Sequence, residues 1–149
     1  MKHVARCLLI AFGMAVVPAH SHAQDATIKL PQDITYKAAL AGAPEVAVLF
    51  GDPTKPGVYV VRVRVPSGLK LMPHWHPDEV RTVVVLSGTF LHGYGEQWDE
   101  AKLKVHPPGT FFSEPFKAPH FAWAKEGEVV LQITATGPTA TTNIEQPKK

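Results

Sequence analysis

Apolar and polar residues alternate along several short stretches of this 149-residue chain. The clearest stretch is 58–65, where every second residue from Tyr59 to Val65 is apolar or aromatic, while Arg62 and Arg64 fall between them. Successive side chains of a strand point to opposite faces, so this pattern predicts a strand with one buried face. We expect the two arginines to be solvated.

Further strands are predicted where β-branched and aromatic residues lie between glycine or proline turns. They cover residues 46–50, 82–86, 89–94, 110–114, 120–124 and 129–134. Weaker patterns at 28–30 and 34–36 predict two short edge strands, 97–103 predicts the one helical turn, and 139–149 is predicted to be a loose polar tail. Short strands with little helix favour a single all-β domain, either a sandwich or a barrel.

The first 23 residues have the pattern of a secretory signal peptide. A basic start is followed by an apolar run at 7–18, which is too short to span a bilayer. Ser21 and Ala23 then place small side chains at the minus-three and minus-one positions of the cleavage site. We therefore expect cleavage before Gln24 and a periplasmic or secreted protein. The only cysteine, Cys7, leaves with the leader, so the mature chain would have neither disulfides nor thiolate ligands.

The net charge of the mature chain bears on which classes of partner it can bind. Loss of Lys2 and Arg6 with the leader leaves 13 basic against 13 acidic side chains, without a basic run. Such a domain lacks the footprint for nucleic acid or an anionic membrane, so neither is expected as a partner. The expected layout is a signal peptide at 1–23, an extension with edge strands at 24–57, the barrel at 58–136 and the tail at 137–149.

A pair of histidines carries the first candidate chemistry. His74 and His76 lie one residue apart in a segment that Pro73 and Pro77 hold extended. On a strand they point the same way, so both imidazoles can bind one metal ion. The alternative is a pair of ordinary surface or core histidines, and His120, a third histidine downstream, favours the metal site.

Two spacing patterns run through the chain. The first consists of Gly68, His74, His76, Arg81 and Gly88, and the second of Gly109, Pro115, Lys117, His120 and Ala124. They resemble the paired motifs of the cupin superfamily, G-x5-H-x-H-x3-4-E-x6-G and G-x5-P-x-G-x2-H-x3-N. The resemblance covers about residues 58–134 and is that of a small, single-domain, secreted bacterial cupin.

The resemblance implies a jelly-roll barrel with His74, His76 and His120 around a divalent metal ion, for which Fe, Zn, Ni, Cu and Mn are all open. The chain departs from the family pattern at three positions. Arg81 replaces the glutamate ligand, Lys117 replaces a glycine and Ala124 replaces an asparagine. An inward Arg81 next to a metal ion would need an anion nearby.

That anion is Glu79, Glu114 or the ligand itself, in which case Arg81 would recognise the substrate. Gln132 is the second candidate for substrate contact, and Tyr94, His92 and Glu114 are the candidates for moving protons.

The function we expect is a metal-binding cupin that binds or converts a small molecule, with an anion as one option for the ligand. Dioxygenase, isomerase and lyase reactions stay open. The alternative is a metal-free module that binds a small molecule or sugar without catalysis. A homodimer is one option for the oligomeric state.

Overall fold

Residues 26–147 are described by a computed structural model. The predicted signal peptide and its cleavage site before Gln24 lie outside these residues. Eleven strands and two 3-10 turns, at Pro31–Asp33 and Glu100–Lys102, make up the regular structure of the described part. The strands are β1 Lys37–Ala38, β2 Glu45–Phe50, β3 Gly57–Val65, β4 Lys70–Trp75, β5 Arg81–Ser87, β6 Phe90–Tyr94, β7 Lys104–His106, β8 Phe111–Ser113, β9 His120–Trp123, β10 Val129–Gly137 and β11 Thr142–Asn143.

The strands form two antiparallel sheets. One has the order β1-β2-β3-β10-β5-β8 and the other β11-β4-β9-β6-β7. Apolar side chains from both sheets meet in one core, to which β3 gives Tyr59, β5 gives Val83 and Val85, β6 gives Phe90 and β9 gives Ala122. The prediction of an all-β jelly roll is therefore confirmed.

Strand β3 buries most of the apolar side chains that the sequence pattern predicted to be buried. Tyr59, Val61 and Val65 are buried, and each such side chain contributes about 1.5–3 kcal/mol to folding. The two arginines lie on the other face, where they are partly covered instead of fully solvated. The Arg64 guanidinium stacks 3.8 Å from the ring centre of Tyr36.

The motif glycines occupy left-handed backbone. Gly68 and Gly109 have φ of +80° and +87°. Gly88 has φ of +75°, and a Cβ there would lie 2.3 Å from the Glu128 carbonyl oxygen, so glycine is required twice over. Lys117, at the position of the motif's other glycine, also has a positive φ, of 53°. The turn therefore keeps its conformation without the glycine, at a cost of about 1–2 kcal/mol in backbone strain.

The two edge strands predicted before β2 were wrong, whereas the helical turn predicted before β7 is present but shorter. Residues 28–30 and 34–36 are not strands, because Pro31 opens a 3-10 turn between them and pairing with β2 begins only at Lys37. The predicted helical turn at 97–103 is restricted to Glu100–Lys102, where the Asp99 carboxylate accepts a hydrogen bond from the Ala101 N–H.

The tail predicted to be loose at 139–149 is paired over part of its described residues. Strand β11 pairs with β4 opposite His74, and the Ile144 N–H donates to the Pro73 carbonyl. Backbone hydrogen bonds hold this segment, which is why its polar composition did not reveal it. No helix among residues 26–147 is long and apolar enough to cross a membrane.

Candidate metal centre

Three histidines meet between the sheets because of the pairing of β4 with β9. His74 lies directly opposite His120, and His76 follows on the same face of the extended segment. The ring centres are 4.4 Å apart for His74 and His120, 5.1 Å for His74 and His76, and 5.3 Å for His76 and His120. Imidazoles that share one ion at about 2.1 Å stand roughly 4.5–5.5 Å apart, so the spacing fits a metal.

The orientation of each ring is fixed by a backbone carbonyl. Nδ1 of His74 lies 2.6 Å from the Met72 oxygen, Nδ1 of His76 lies 2.8 Å from the Ala140 oxygen, and Nδ1 of His120 lies 2.9 Å from the Ala118 oxygen. A carbonyl oxygen only accepts, so each Nδ1 carries the proton and each Nε2 keeps its lone pair. Ligand atoms of the three residues lie within 4.8 Å of one another. Histidines that bind metals are commonly held in this way.

Burial keeps the rings of His74 and His76 neutral. It lowers the pKa of His74, and it lowers the pKa of His76 to about 4 with a further contribution from the nearby Arg81 charge. A neutral imidazole is the form that binds a metal ion. His74 and His76 can therefore bind a metal ion at neutral pH without first losing a proton.

Arg81 points into the molecule and is paired with acidic groups. Its Nε donates to Glu114 Oε2 at 2.5 Å, and its Nη1 donates to the Tyr59 hydroxyl at 3.0 Å. Asp78 accepts from that hydroxyl at 2.5 Å and lies 3.8 Å from Nη1. Of the two carboxylates predicted as partners, Glu114 is the one that pairs, whereas Glu79 is exposed. Arg81 also lines the cavity described below.

Asp78 and Tyr59 were missed by the sequence analysis, although two signals pointed to them. Asp78 continues the alternation of His74 and His76, and Tyr59 belongs to the buried face of β3. Burial, followed by the hydrogen bond to Asp78, raises the pKa of Tyr59 to about 12. The Tyr59 hydroxyl therefore stays protonated and donates a hydrogen bond to Asp78.

Glu114 connects Arg81 to the histidines. Its backbone N–H donates to the Arg81 carbonyl at the end of the β5–β8 pair, and its Oε1 lies 3.6 Å from His120 Nε2. Burial alone would raise its pKa, but the Arg81 charge reverses this effect, so the pKa is lower than usual. Glu114 is therefore a carboxylate beside the centre, in the loop after β8 and not at the position of the family's glutamate.

The other two candidates for proton transfer differ from each other. His92 lies diagonally across the β6–β9 pair from His120, and burial lowers its pKa to about 4. The Tyr94 hydroxyl donates to the Ser113 carbonyl at 2.5 Å, and its side chain is exposed. His92 is therefore the better placed of the two.

Gln132 does not lie where the predicted substrate contact requires it. It lies between the buried Leu131 and Ile133 of β10, so its side chain points to the outer face of the sheet. There its Oε1 accepts from Arg62 Nε at 3.3 Å. The alternation of β10 excludes Gln132 from the cavity, so the predicted substrate contact was wrong.

A cavity of about 570 Å³ opens beside the histidines. Its walls are mainly apolar, with Val63, Leu71 and Met72, and its polar groups include His74, His76 and Arg81. Thr141 and Asn143 of the C-terminal segment also line it. An apolar cavity of this size with a few converging polar groups is typical of a small-molecule site.

No protein-family model and no curated protein matches the sequence. Solved structures are similar in fold. The polyketide cyclase RemF from Streptomyces resistomycificus matches with a TM-score of 0.67 and 16% identity over 83% of this chain and 88% of that one. A Ralstonia eutropha protein of unknown function with a cupin-like fold matches with a TM-score of 0.63 and 22% identity, over 85% of this chain and 75% of that one. The DMSP lyase DddQ from Ruegeria pomeroyi matches with a TM-score of 0.60 and 17% identity, over 82% of this chain and 63% of that one.

These similarities concern the fold, and they agree with the two motif patterns, the jelly-roll sheets and the histidines on β4 and β9. The chain has a cupin fold.

Proposed function

We propose that this protein binds a divalent metal ion through His74, His76 and His120 and binds a small molecule next to it. The observation that carries the proposal is the set of three Nδ1–carbonyl hydrogen bonds, which leave three Nε2 lone pairs directed to one place. Three neutral nitrogens with open positions suit zinc, iron, copper or nickel.

The charges around the cavity support an anionic ligand. With a bound divalent ion, the charges of Arg81, Glu114 and Asp78 would bring the total to about +1. Arg81 is already paired, so the ligand is not needed to neutralise it. A carboxylate or enolate would still be attracted to the ion and to the side of Arg81 that lines the cavity.

Conversion of the ligand is part of the proposal, with isomerase, lyase and oxygenase reactions open. A bound ion supplies Lewis acidity to an oxygen of the ligand or lowers the pKa of a bound water. His92 and Glu114, which lie within 4.8 Å of a His120 ligand atom, would take and return the proton. Two similar structures, the cyclase and the lyase, are enzymes by name, which favours catalysis over plain binding.

We also propose, from the leader pattern alone, that the protein works in the periplasm or outside the cell. Mass analysis of the N-terminus from a periplasmic fraction tests this, with Gln24 as the expected first residue and Met1 as the contradicting one.

The test of metal binding is a calorimetric titration of untagged, EDTA-treated protein with Zn²⁺ and Co²⁺. We expect one equivalent for the wild type and a loss of at least about 100-fold in affinity for His74→Ala, His76→Ala and His120→Ala, because each removes a ligand. His106→Ala is the matched control and should bind as the wild type does. If the wild type binds no metal, the metal-free binding module becomes the better account.

A further inference from the structure

A second group of possible metal ligands shares His120 with the triad of His74, His76 and His120. His92, Glu114 and His120 offer ligand atoms that lie within 4.8 Å of one another. They come from β6, the loop after β8 and β9, whereas His74 and His76 come from the β4 segment. His92 and Glu114 belong to neither motif pattern of the sequence.

The His92 ring has a nitrogen without a hydrogen-bond partner. Its Nε2 is buried and makes no hydrogen bond to any of residues 26–147, and the side chain is 3% exposed. An unsatisfied buried polar atom destabilises the fold, so it calls for an explanation. The ring packs 4.8 Å from both Phe112 and Tyr94 between ring centres, so its neighbours hold it in place.

Glu114 uses one carboxylate oxygen to pair with Arg81, and its other oxygen lies close to the His120 ring. Arg81 binds Oε2, while Oε1 lies 3.6 Å from His120 Nε2, outside hydrogen-bond distance. A carboxylate whose second oxygen is held by a donor is a common metal ligand. Arg81, which replaces the family's glutamate ligand, thus orients a different glutamate towards the centre.

We propose that His92, Glu114 and His120 form a second position for a divalent cation. Two imidazoles and one carboxylate are a donor set found for zinc and for non-haem iron. The proposal rests on the proposed metal function, because His120 belongs to both positions and its Nε2 can bind only one ion at a time. One ion therefore occupies either the histidine triad or the mixed triad.

The two positions face different cavities. The histidine triad borders the cavity of about 570 Å³, and the mixed triad borders, through His92, a cavity of about 490 Å³. Phe112 and His106 give the second cavity aromatic walls, and Lys102 and Lys104 give it two cations. An ion in the mixed triad would therefore serve ligands that bind in this second cavity.

The experiment uses Co²⁺ as the probe and the variant His74→Gln/His76→Gln, which disables the histidine triad alone. We expect this untagged variant to bind one equivalent of Co²⁺, more weakly than the wild type and with its own visible absorption spectrum. Adding His92→Phe or Glu114→Gln should lower the remaining affinity at least about 100-fold, since loss of a mere hydrogen-bonding partner of a ligand already costs roughly 10–100-fold. Adding His106→Ala should change it less than about threefold, since His106 shares the cavity but not the triad.

Loss of all Co²⁺ binding in the double variant, while the wild type still binds one equivalent, would overturn the second position alone. Absence of binding in the wild type would overturn the proposed function as well. Circular dichroism confirms folding of each variant. If the double variant does not fold, His76→Gln carries the same comparison, and unchanged affinity on adding His92→Phe would refute the proposal.

Discussion

Arg81→Met tests whether the buried charge network is organised around Arg81. The Arg81 and Glu114 side chains are 10% and 9% exposed, and their Nε–Oε2 distance is 2.5 Å. Methionine fills a similar volume but leaves Glu114 and Asp78 without their cation. Breaking a buried pair from one side costs about 3–5 kcal/mol, because the remaining charge stays out of water. We expect this loss in the unfolding free energy at pH 7.

The assay is urea unfolding of the metal-free proteins in EDTA, repeated from pH 8 to pH 5. Without Arg81, burial is the largest effect left on the pKa of Glu114, so we expect the folded pKa to rise above the unfolded value. Such a group stabilises the fold below its unfolded pKa and loses that contribution as the pH rises. The difference between Arg81→Met and the wild type should therefore shrink as the pH falls.

The matched control is Arg81→Met/Glu114→Gln, which removes both charges of the pair and should recover at least half of the loss. A loss below about 1 kcal/mol in Arg81→Met, or no recovery in the double variant, would show that Arg81 does not hold the buried charges together.

Three further predictions follow from the same contacts. Truncation after Pro138 removes the Ala140 carbonyl that holds His76 Nδ1, so metal affinity should fall roughly 10–100-fold by titration, and an unchanged affinity would contradict this role. Arg81→Glu restores the family's ligand pattern beside Glu114, so it should raise metal affinity while lowering the melting temperature of the metal-free protein; a lower affinity would count against it. Because the pKa of His92 is about 4 in the folded protein and 6.5 for an unperturbed histidine, the folded state binds fewer protons, and the free energy of unfolding should decrease as the pH falls from about 6.5 to 4. His92→Phe should remove a part of that decrease on the order of 3 kcal/mol, and an identical pH profile would contradict it.

The strands were predictable because their apolar residues alternate with the period of a sheet. The same alternation predicted that His74 and His76 share a face, and it would have placed Asp78 with them. Gln132 was misassigned because its position relative to the buried residues of β10 was not followed through. Its neighbours Leu131 and Ile133 take the inner face, which leaves the glutamine on the outer one.

The partner of Arg81 could only be narrowed to two glutamates, because pairing depends on the register between strands. Glu114 lies 33 positions away and reaches Arg81 through the β5–β8 pair. The hydrogen bond between His76 Nδ1 and the Ala140 carbonyl could not be predicted for another reason. A backbone carbonyl is the same in every residue, so the sequence carries no mark of that contact.

The most direct test of the metal centre is the metal content of untagged protein, measured by mass spectrometry after purification without chelator or added metal. We expect about one equivalent of a divalent transition metal for the wild type and less than about a tenth of an equivalent for His120→Ala, because His120 belongs to both triads. Wild-type protein without bound metal, and unable to take up Zn²⁺ or Fe²⁺ afterwards, would contradict it.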